Sequence, residues 1–290
     1  MEIKVNKILI LKIDNEDENL RKTEYCDIEK YYNCKVNNIV FRVFKKLDLK
    51  ISNIFIGKWK KDILKYQTVI LFDNGYSKII TRYIKEKNPK CRIILWFWNP
   101  IIEYSESYLK DKNIDEIWSY DRNDCKKYNL KFNTQFYNNK LKCPNLKKVQ
   151  DVIFLGKDKG RRKIIENLNE SLAKNKVTSK LIIVESEKQY ISYSKYLEYI
   201  GESKAILDIV MDNVMGLTLR CMESLFLNKK LITNNTDIQN YDFYNPKNIF
   251  ILGKDDVNDI KNFIDSEYEP VKEEIVDYYD YESWIKRFGV

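Results

Sequence analysis

The segment DVIFLGKDKGRRKIIENLNESLAKNKVTSKLIIVE, residues 151–185, decides how the second half of this chain folds. It opens on a mostly apolar run, residues 151–156, which is typical of a strand buried in a parallel sheet. A Gly-Lys loop leads into residues 161–175, where apolar side chains recur at helical spacing. A second apolar run, residues 180–185, closes the segment. The order strand, helix, strand indicates a parallel α/β unit.

The same alternation continues to the C-terminal end. Further strands are predicted at 204–210, 231–233 and 248–252, and further helices at 193–203, 219–227, 257–266 and 273–288. The first half repeats the pattern. Its predicted strands are 7–13, 53–57, 68–73, 91–98 and 114–120, and its predicted helices are 77–88 and 121–129, with helical spacing also toward the end of residues 26–47.

Residues 138–150 are polar, contain a proline and lack periodicity, so they read as an interdomain linker. A length of 290 residues also suits two domains. We therefore predict an α/β protein of two Rossmann-like domains, with the first at residues 1–145 and the second at residues 146–272. In such domains a ligand site is expected in the crevice at the carboxyl ends of the strands.

The composition excludes several classes of protein. The chain has no histidine, so catalysis by a Ser-His or Cys-His pair is excluded and a general base must be Asp, Glu, Tyr or Lys. It has neither the dinucleotide-binding glycine fingerprint nor a P-loop, and its six cysteines form no C-x-x-C pair. The net charge of +8 fits a solvated lysine-rich surface or attraction to an anionic membrane. Nucleic-acid binding is disfavoured because the basic residues are spread among acidic ones.

The loop after the first strand of the second domain is a candidate phosphate site. Gly156 and Gly160 allow the backbone to come close to a ligand. Lys157, Lys159 and Arg161 add positive charge where a helix begins, and a helix N-terminus attracts phosphate. The alternative is a surface turn with lysines of the kind found throughout this chain.

A second candidate group lies in GLTLRCMESLFL, residues 216–227. Thr218 is the expected N-cap of the helix, which places Arg220 in its first turn and Glu223 one turn further on. Arginine there suits a diphosphate, and a carboxylate can accept hydrogen bonds from both hydroxyls of a ribose. The alternative is a local ion pair between Arg220 and Glu223, worth about 0.3 kcal/mol.

The order of these elements resembles the nucleotide-sugar domain of GT-B glycosyltransferases. The resemblance rests on KDKGRR, YLEYI, KAILDI, GLTLRCMES, KKLITNN and YDFYNPKNI, and in the first half more weakly on ILFDNGYS, LWFWNPI and IDEIWSYDRNDCKKYNLKFNTQFYN. It is strongest to enzymes of bacterial surface-polysaccharide synthesis (lipopolysaccharide core, capsule, O-antigen). It implies two domains that face a central cleft, with the first completed by a C-terminal helix at residues 273–290. It also implies a transferase that moves a sugar from a nucleotide-diphosphate donor, with UDP-sugar favoured, to a glycan or lipid-linked glycan acceptor.

The resemblance also implies roles for individual residues. Glu223 corresponds to the family's ribose-binding glutamate, Arg220 to a donor-phosphate contact, and residues 157–161 to the family's phosphate loop. Many retaining members carry a second glutamate seven residues before the first, where this chain has Gly216, so an inverting mechanism is favoured. The chain has no Asp-x-Asp metal motif, so we expect neither a metal nor a cofactor.

An inverting transfer needs a base that deprotonates the acceptor hydroxyl. Asp73 and Glu103 in the first domain are the candidates, with a helix cap and a surface charge as the respective alternatives. Trp96, Trp98 and Asn99 are candidates for the acceptor site because aromatic faces stack on sugar rings, although at least one tryptophan is expected to be structural.

The expected location is cytoplasmic, since charged residues rather than an apolar signal region follow Met1. The resemblance adds work at the inner face of the cell membrane, where lipid-linked acceptors lie and lysines would attract anionic lipid. The sequence makes no prediction of oligomeric state. The alternative function is a non-catalytic nucleotide-sugar or partner-binding protein on the same fold.

Overall fold

A computed structural model describes residues 7–13, 19–33, 43, 54–185, 189–211 and 216–290. Its contacts divide the chain into two compact units. Unit 1 comprises residues 1–134 and 285–290, and unit 2 comprises residues 135–284. The sequence placed the corresponding boundaries at 145/146 and 272/273. Among the described residues, no helix combines the length and the apolar character needed to cross a membrane.

Unit 1 contains a six-stranded parallel sheet with the strand order β2-β1-β3-β4-β5-β6. Its strands are β1 (Ile8–Lys12), β2 (Cys26–Lys30), β3 (Thr68–Phe72), β4 (Arg92–Phe97), β5 (Glu116–Ser119) and β6 (Lys131–Phe132). Its described helices are α1 (Lys78–Lys87), α2 (Glu103–Glu106) and α3 (Arg122–Tyr128), with 3₁₀ turns at Lys58–Lys61, Ile63–Lys65 and Ser107–Lys110. Every residue of β1 and β3 is buried, as expected where both faces of a parallel sheet are covered.

Helix α1 illustrates how the sequence positions these elements. Ser77 caps its N-terminus by accepting a hydrogen bond from the backbone N–H of Ile79. Ile80 and Ile84 lie on the buried face, and Pro89 follows the end of the helix, where a proline cannot continue it. The helix therefore begins directly after the loop that leaves β3, and this loop carries Asp73.

Unit 2 contains a five-stranded parallel sheet with the order β11-β10-β9-β7-β8. Its strands are β7 (Gln150–Lys157), β8 (Ser179–Val184), β9 (Ser203–Asp208), β10 (Lys230–Thr233) and β11 (Ile249–Ile251). Its helices are α4 (Arg162–Lys174), α5 (Tyr193–Gly201), α6 (Leu219–Phe226), α7 (Ile260–Asp265) and α8 (Glu273–Tyr278), with 3₁₀ turns at Thr236–Asn240 and Val257–Asp259. A last helix, α9 (Tyr281–Lys286), spans the boundary between the units.

The strand orders identify one special position in each sheet. In unit 2 the chain goes from β7 to β8 on one side and then returns to β9 on the other side of β7. In unit 1, β1 lies between β2 and β3 in the same way. Such a reversal leaves a crevice at the carboxyl ends of the two central strands, where ligands of doubly wound α/β sheets bind. The two parallel sheets confirm an α/β fold with a Rossmann-like layout.

One strand of unit 1 was missed and one prediction is wrong. Residues 26–30 form strand β2, which the sequence did not predict. The helical spacing predicted toward the end of residues 26–47 lies outside the described residues except for Val43, which is helical. The predicted strand 53–57 is a 3₁₀ turn and a single bridge between Ile56 and Tyr32, with residue 53 itself undescribed. Ile56 enters the core of unit 1 and Phe55 packs against that core, whereas Ile54 is exposed.

Candidate functional site

Helix α6 begins as the sequence predicts. The Thr218 hydroxyl accepts a hydrogen bond from the backbone N–H of Cys221, with an O–N distance of 3.4 Å, and so caps the helix. Cys221, Met222 and Leu225 bury the apolar face of α6 in the core of unit 2. This arrangement leaves Arg220 in the first turn, close to the carboxyl ends of β7 and β9.

The loop between β7 and α4 makes a tight left-handed turn. Lys159 has a φ of 48° and Gly160 a φ of 82°, and both residues are exposed. A glycine adopts this conformation without steric cost, whereas lysine does so at some cost. The turn sets Arg161 at the N-cap of α4 and directs the chain back toward β7.

Gly156 allows two distant arginines to meet. A Cβ atom at this position would lie 2.7 Å from Nη2 of Arg220 and 2.8 Å from Nη2 of Arg161. Both guanidinium groups also contact the ring of Phe154, at 5.0 Å for Arg220 and 5.1 Å for Arg161. The absent side chain of Gly156 therefore makes room for a pair of arginines at the end of β7.

Arg161 connects the carboxyl ends of two strands. Its Nη1 donates a hydrogen bond to the carbonyl oxygen of Ile209, and its Nη2 donates to that of Lys157 at 3.0 Å. Its side chain is largely buried. These contacts give Arg161 a structural role at the switch point between β7 and β9, in addition to the charge it places there.

Arg220 is held by a residue that the sequence did not single out. Its Nη1 lies 3.0 Å from Oδ1 of Asp208, and its Nη2 donates to the carbonyl oxygen of Leu155 at 3.4 Å. Asp208 is fully buried at the end of β9. The signal for it was present, because a charged residue at the end of an apolar strand needs a buried partner.

Positive charge accumulates at this point of unit 2. Burial and then the charge of Arg220 lower the pKa of Arg161 to about 10. Desolvation and then the charges of Arg161, Arg220 and Lys157 lower the pKa of Lys159. We call Lys157, Lys159, Arg161 and Arg220 the cation cluster. Because its members repel one another, an anion bound among them would be stabilised.

Glu223 is buried rather than facing open solvent, with an exposed fraction of 1%. Its Oε1 accepts a hydrogen bond from the hydroxyl of Tyr193 at 3.0 Å, and its Oε2 accepts one from that of Tyr196 at 3.2 Å. Burial raises the pKa of this carboxyl to about 7, against the opposing effects of Arg220 and the two tyrosines. Glu223 therefore belongs to the interior of unit 2, where it accepts hydrogen bonds from two tyrosines.

The alternative prediction, an ion pair between Arg220 and Glu223, is wrong. Among the described residues, Arg220 forms its ion pair with Asp208. The two tyrosines that contact Glu223 lie on α5 and were missed by the sequence reasoning. Their spacing of three residues places them on one helix face, but the sequence pattern does not show which carboxylate that face meets.

In unit 1, Asp73 follows β3 at the switch point of the first sheet. Its Oδ1 accepts a hydrogen bond from the backbone N–H of Trp98 at 2.9 Å, and its Oδ2 lies 3.5 Å from Nδ2 of Asn99. Burial raises its pKa to about 6, although these hydrogen bonds act in the opposite direction. The carboxylate of Asp73 thus contacts two of the residues predicted for the acceptor site, Trp98 and Asn99.

The other two predicted residues are Trp96 and Glu103, and the backbone carbonyl oxygen of Trp96 accepts a hydrogen bond from the N–H of Asp73 at 3.0 Å. The side chain of Trp96 is fully buried and meets the ring of Phe288 edge-on, with the centroids 6.0 Å apart. It is a core residue and offers no face to an acceptor, which corrects that assignment. Trp98 is half-buried and packs against Phe72. Glu103 is exposed at the first position of the four-residue helix α2.

The fold and the site define an α/β protein with a cation cluster and a buried carboxylate at the carboxyl edge of its second sheet. No protein-family model matches the chain, and no curated protein matches its sequence. Within the described ranges, no group of three or more cysteine or acidic side chains is placed to hold a metal ion.

Proposed function

We propose that this chain is a glycosyltransferase of the GT-B class, which moves a sugar from a nucleoside-diphosphate donor, UDP-sugar being favoured, to a glycan or lipid-linked glycan acceptor. The observation that carries the proposal is the cation cluster at the switch point of the second sheet. Ligands of such sheets bind at this point, and the local charge suits a diphosphate. The sequence resemblance to enzymes of surface-polysaccharide synthesis supports the same donor.

The donor would bind to unit 2 in two parts. Its diphosphate would lie on the loop from Gly156 to Gly160, with Lys157 and Lys159 contacting phosphate oxygens and the two buried arginines adding to the field. Its ribose would bind Glu223. The carboxylate can accept about four hydrogen bonds and has two from tyrosines, so ribose hydroxyls can use the others once the partly exposed Tyr193 moves aside.

The proposed chemistry is an inverting displacement. Asp73 takes the proton of an acceptor hydroxyl, and the oxygen forms a bond to the anomeric carbon while the bond to the diphosphate breaks. The leaving diphosphate gains negative charge, which the cation cluster stabilises. A raised pKa makes Asp73 a stronger base than an ordinary carboxylate while most of it is still ionised at neutral pH. Lipid-linked acceptors would bring the protein to the inner face of the cell membrane.

Release of nucleoside diphosphate from a panel of nucleotide sugars tests the proposal, with and without candidate glycan acceptors. We expect Asp73→Asn to lower the release rate by at least about 100-fold, as for loss of a general base. Glu103→Gln is the matched control and should leave the rate unchanged. An equal loss in both variants would contradict the role of Asp73. Nucleotide-sugar binding without any release would favour the alternative, a non-catalytic binding protein.

A further inference from the structure

Unit 1 contains a small pocket, and none of its lining residues was predicted from the sequence as a site residue. It has a volume of 230 Å³ and opens beside the N-terminus of α1. Its lining residues are Tyr76, Ser77, Lys78, Ile79, Tyr104, Ser107 and Tyr108. Pockets for drug-sized ligands measure roughly 300–1,000 Å³, so this one suits a single ring.

Aromatic rings form the walls of the pocket. The ring of Tyr104 stands at 79° to that of Tyr108, with centroids 5.7 Å apart, so that the two make a corner. Tyr108 is fixed from behind by Phe97 and from the side by Tyr76. Tyr104 is 69% exposed, so much of its ring is accessible to a ligand.

Polar groups line the same pocket. Tyr76 donates its hydroxyl hydrogen to the buried Asp111, which fixes the ring. The Ser107 hydroxyl donates to the carbonyl oxygen of Tyr104 at 3.1 Å and can still accept a hydrogen bond. Lys78 is exposed at the first position of α1. Apolar ring faces with hydroxyl and ammonium groups around them match a sugar, which has C–H groups on its faces and hydroxyls around its edge.

The pocket lies near the candidate base. The backbone N–H of Tyr76, one of the lining residues, donates a hydrogen bond to the carbonyl oxygen of Asp73 at 3.2 Å. The ring of Tyr76 packs against that of Tyr108, with the centroids 4.5 Å apart. A ring held in the pocket would therefore lie close to the residue that would deprotonate it.

We propose that the tyrosine corner formed by Tyr104 and Tyr108 binds one pyranose ring, and that this ring belongs to the acceptor. The assignment of this ring to the acceptor rests on the proposed function, whereas the binding of a pyranose does not. The chemical class of the acceptor is then a glycan with a ring face free to stack, instead of a bare lipid phosphate or a protein side chain.

Saturation-transfer NMR on the full chain with methyl glycosides of common hexoses, in the absence of any nucleotide, tests this proposal. We expect saturation of the ring C–H protons of at least one glycoside. Tyr104→Ala should weaken its binding by about fivefold or more, as for loss of an aromatic stacking partner. Tyr104→Phe should keep most of the affinity, because it keeps the ring.

Tyr190→Ala is the matched control, since Tyr190 is 67% exposed and lies in unit 2. It should leave glycoside binding unchanged. The proposal is overturned if no glycoside is saturated, if Tyr104→Ala binds as tightly as the parent, or if Tyr104→Phe loses as much as Tyr104→Ala. Displacement of the glycoside from this pocket by uridine at lower concentration would also overturn it, in favour of a nucleobase. Because no nucleotide is present in the main titration, failure of donor binding in unit 2 would not affect this result.

Discussion

At the scale of single residues, Glu223 most needs explanation. An ionised carboxylate is costly to bury, and Glu223 is stabilised in its place by the hydroxyls of Tyr193 and Tyr196. These tyrosines lie 30 and 27 residues earlier in the chain. A sequence pattern places Glu223 on its helix, but it cannot show which side chains of another helix will meet it. The ribose-binding role of Glu223 could therefore be predicted from the resemblance, whereas the burial of its side chain could not.

Glu223→Gln is the substitution that tests ribose binding. It keeps the shape of the side chain and most of its hydrogen bonds. By contrast, Glu223→Ala would remove the acceptor of both tyrosines and leave the hydroxyl of the buried Tyr196 without this partner, at about 1–3 kcal/mol. We expect Glu223→Gln to weaken binding of both nucleoside and nucleoside diphosphate by about tenfold or more, because a charge-assisted hydrogen bond is lost.

Calorimetry with uridine and UDP measures this effect, and Glu170→Gln is the control, since Glu170 is an exposed glutamate on α4. If Glu223→Gln binds both ligands as the parent does, Glu223 is a structural residue of the fold and the ribose assignment is wrong.

The raised pKa of Glu223 also predicts a dependence of stability on pH. A carboxyl whose pKa is higher in the folded than in the unfolded chain favours folding while it is protonated. Its contribution is therefore lost as pH rises from about 4.5 to about 7, and it amounts to about 3 kcal/mol at ~1.4 kcal/mol per pKa unit. Urea unfolding at pH 5 and pH 8 should show a larger drop for the parent than for Glu223→Gln. Equal drops in the two proteins would contradict a titration of the buried Glu223. The pKa of Asp73 is raised as well, but Asp73 is present in both proteins and so does not affect the comparison.

At the scale of elements, continuous apolar strands were the part that the sequence predicted well. β3, β4, β7 and β9 are continuous apolar runs flanked by polar residues, and such runs have few alternatives to a buried parallel strand. β2 was missed because charged residues alternate along it, at the edge of the sheet. The apolar run at 53–57 was misread because apolar composition does not reveal whether backbone hydrogen bonds join a sheet.

The ends of these elements also explain the cation cluster. Arg161 is the N-cap of α4, and Arg220 lies in the first turn of α6. The two meet because β7 and β9 are neighbours in the sheet. The sequence predicted each loop as a phosphate contact, and adjacency of the loops follows from the strand order. The carbonyl contacts of Arg161 were not predictable, because they depend on the exact path of the loop after β7.

Gly156→Ala tests whether this close approach matters. The added methyl group would collide with Nη2 of both arginines, so these flexible side chains would have to separate. We expect diphosphate affinity to fall by several-fold while affinity for the free nucleoside stays the same, since only the phosphate contacts move. Calorimetry with UDP and with uridine measures these two affinities. A variant that binds UDP as the parent does would show that the arginines do not set the phosphate site.

At the scale of the whole molecule, the restart of the strand–helix alternation near residue 151 predicted two sheets, and two sheets are present. The C-terminal residues 285–290 belong to unit 1, where the carbonyl oxygen of Phe288 accepts a hydrogen bond from Arg92 at 2.7 Å. No local pattern marks the residue at which a chain leaves one unit for another, because that depends on long-range contacts. Boundaries are therefore less predictable than elements.

The proposed transferase should not depend on a divalent metal ion. The sequence lacks the Asp-x-Asp motif, and the cation cluster can neutralise the diphosphate in its place. We expect release of nucleoside diphosphate from a donor sugar to continue in the presence of EDTA at a similar rate. Strict dependence on added manganese or magnesium would contradict this assignment of the charge-neutralising groups.

If the loop after β7 binds the diphosphate of a nucleotide donor, UDP binding must depend on the charge of that loop, and calorimetric titration of UDP into three proteins measures this dependence. Lys159→Asn removes one exposed charge of the cation cluster, and asparagine tolerates the positive φ of this position. Lys176→Asn is matched in charge, exposure and backbone conformation, with a φ of 59°, but lies at the other end of α4, roughly 20 Å away. We expect UDP to bind the parent and Lys176→Asn equally well and to bind Lys159→Asn about tenfold or more weakly. Absence of UDP binding to the parent, or equal affinity in all three proteins, would contradict it.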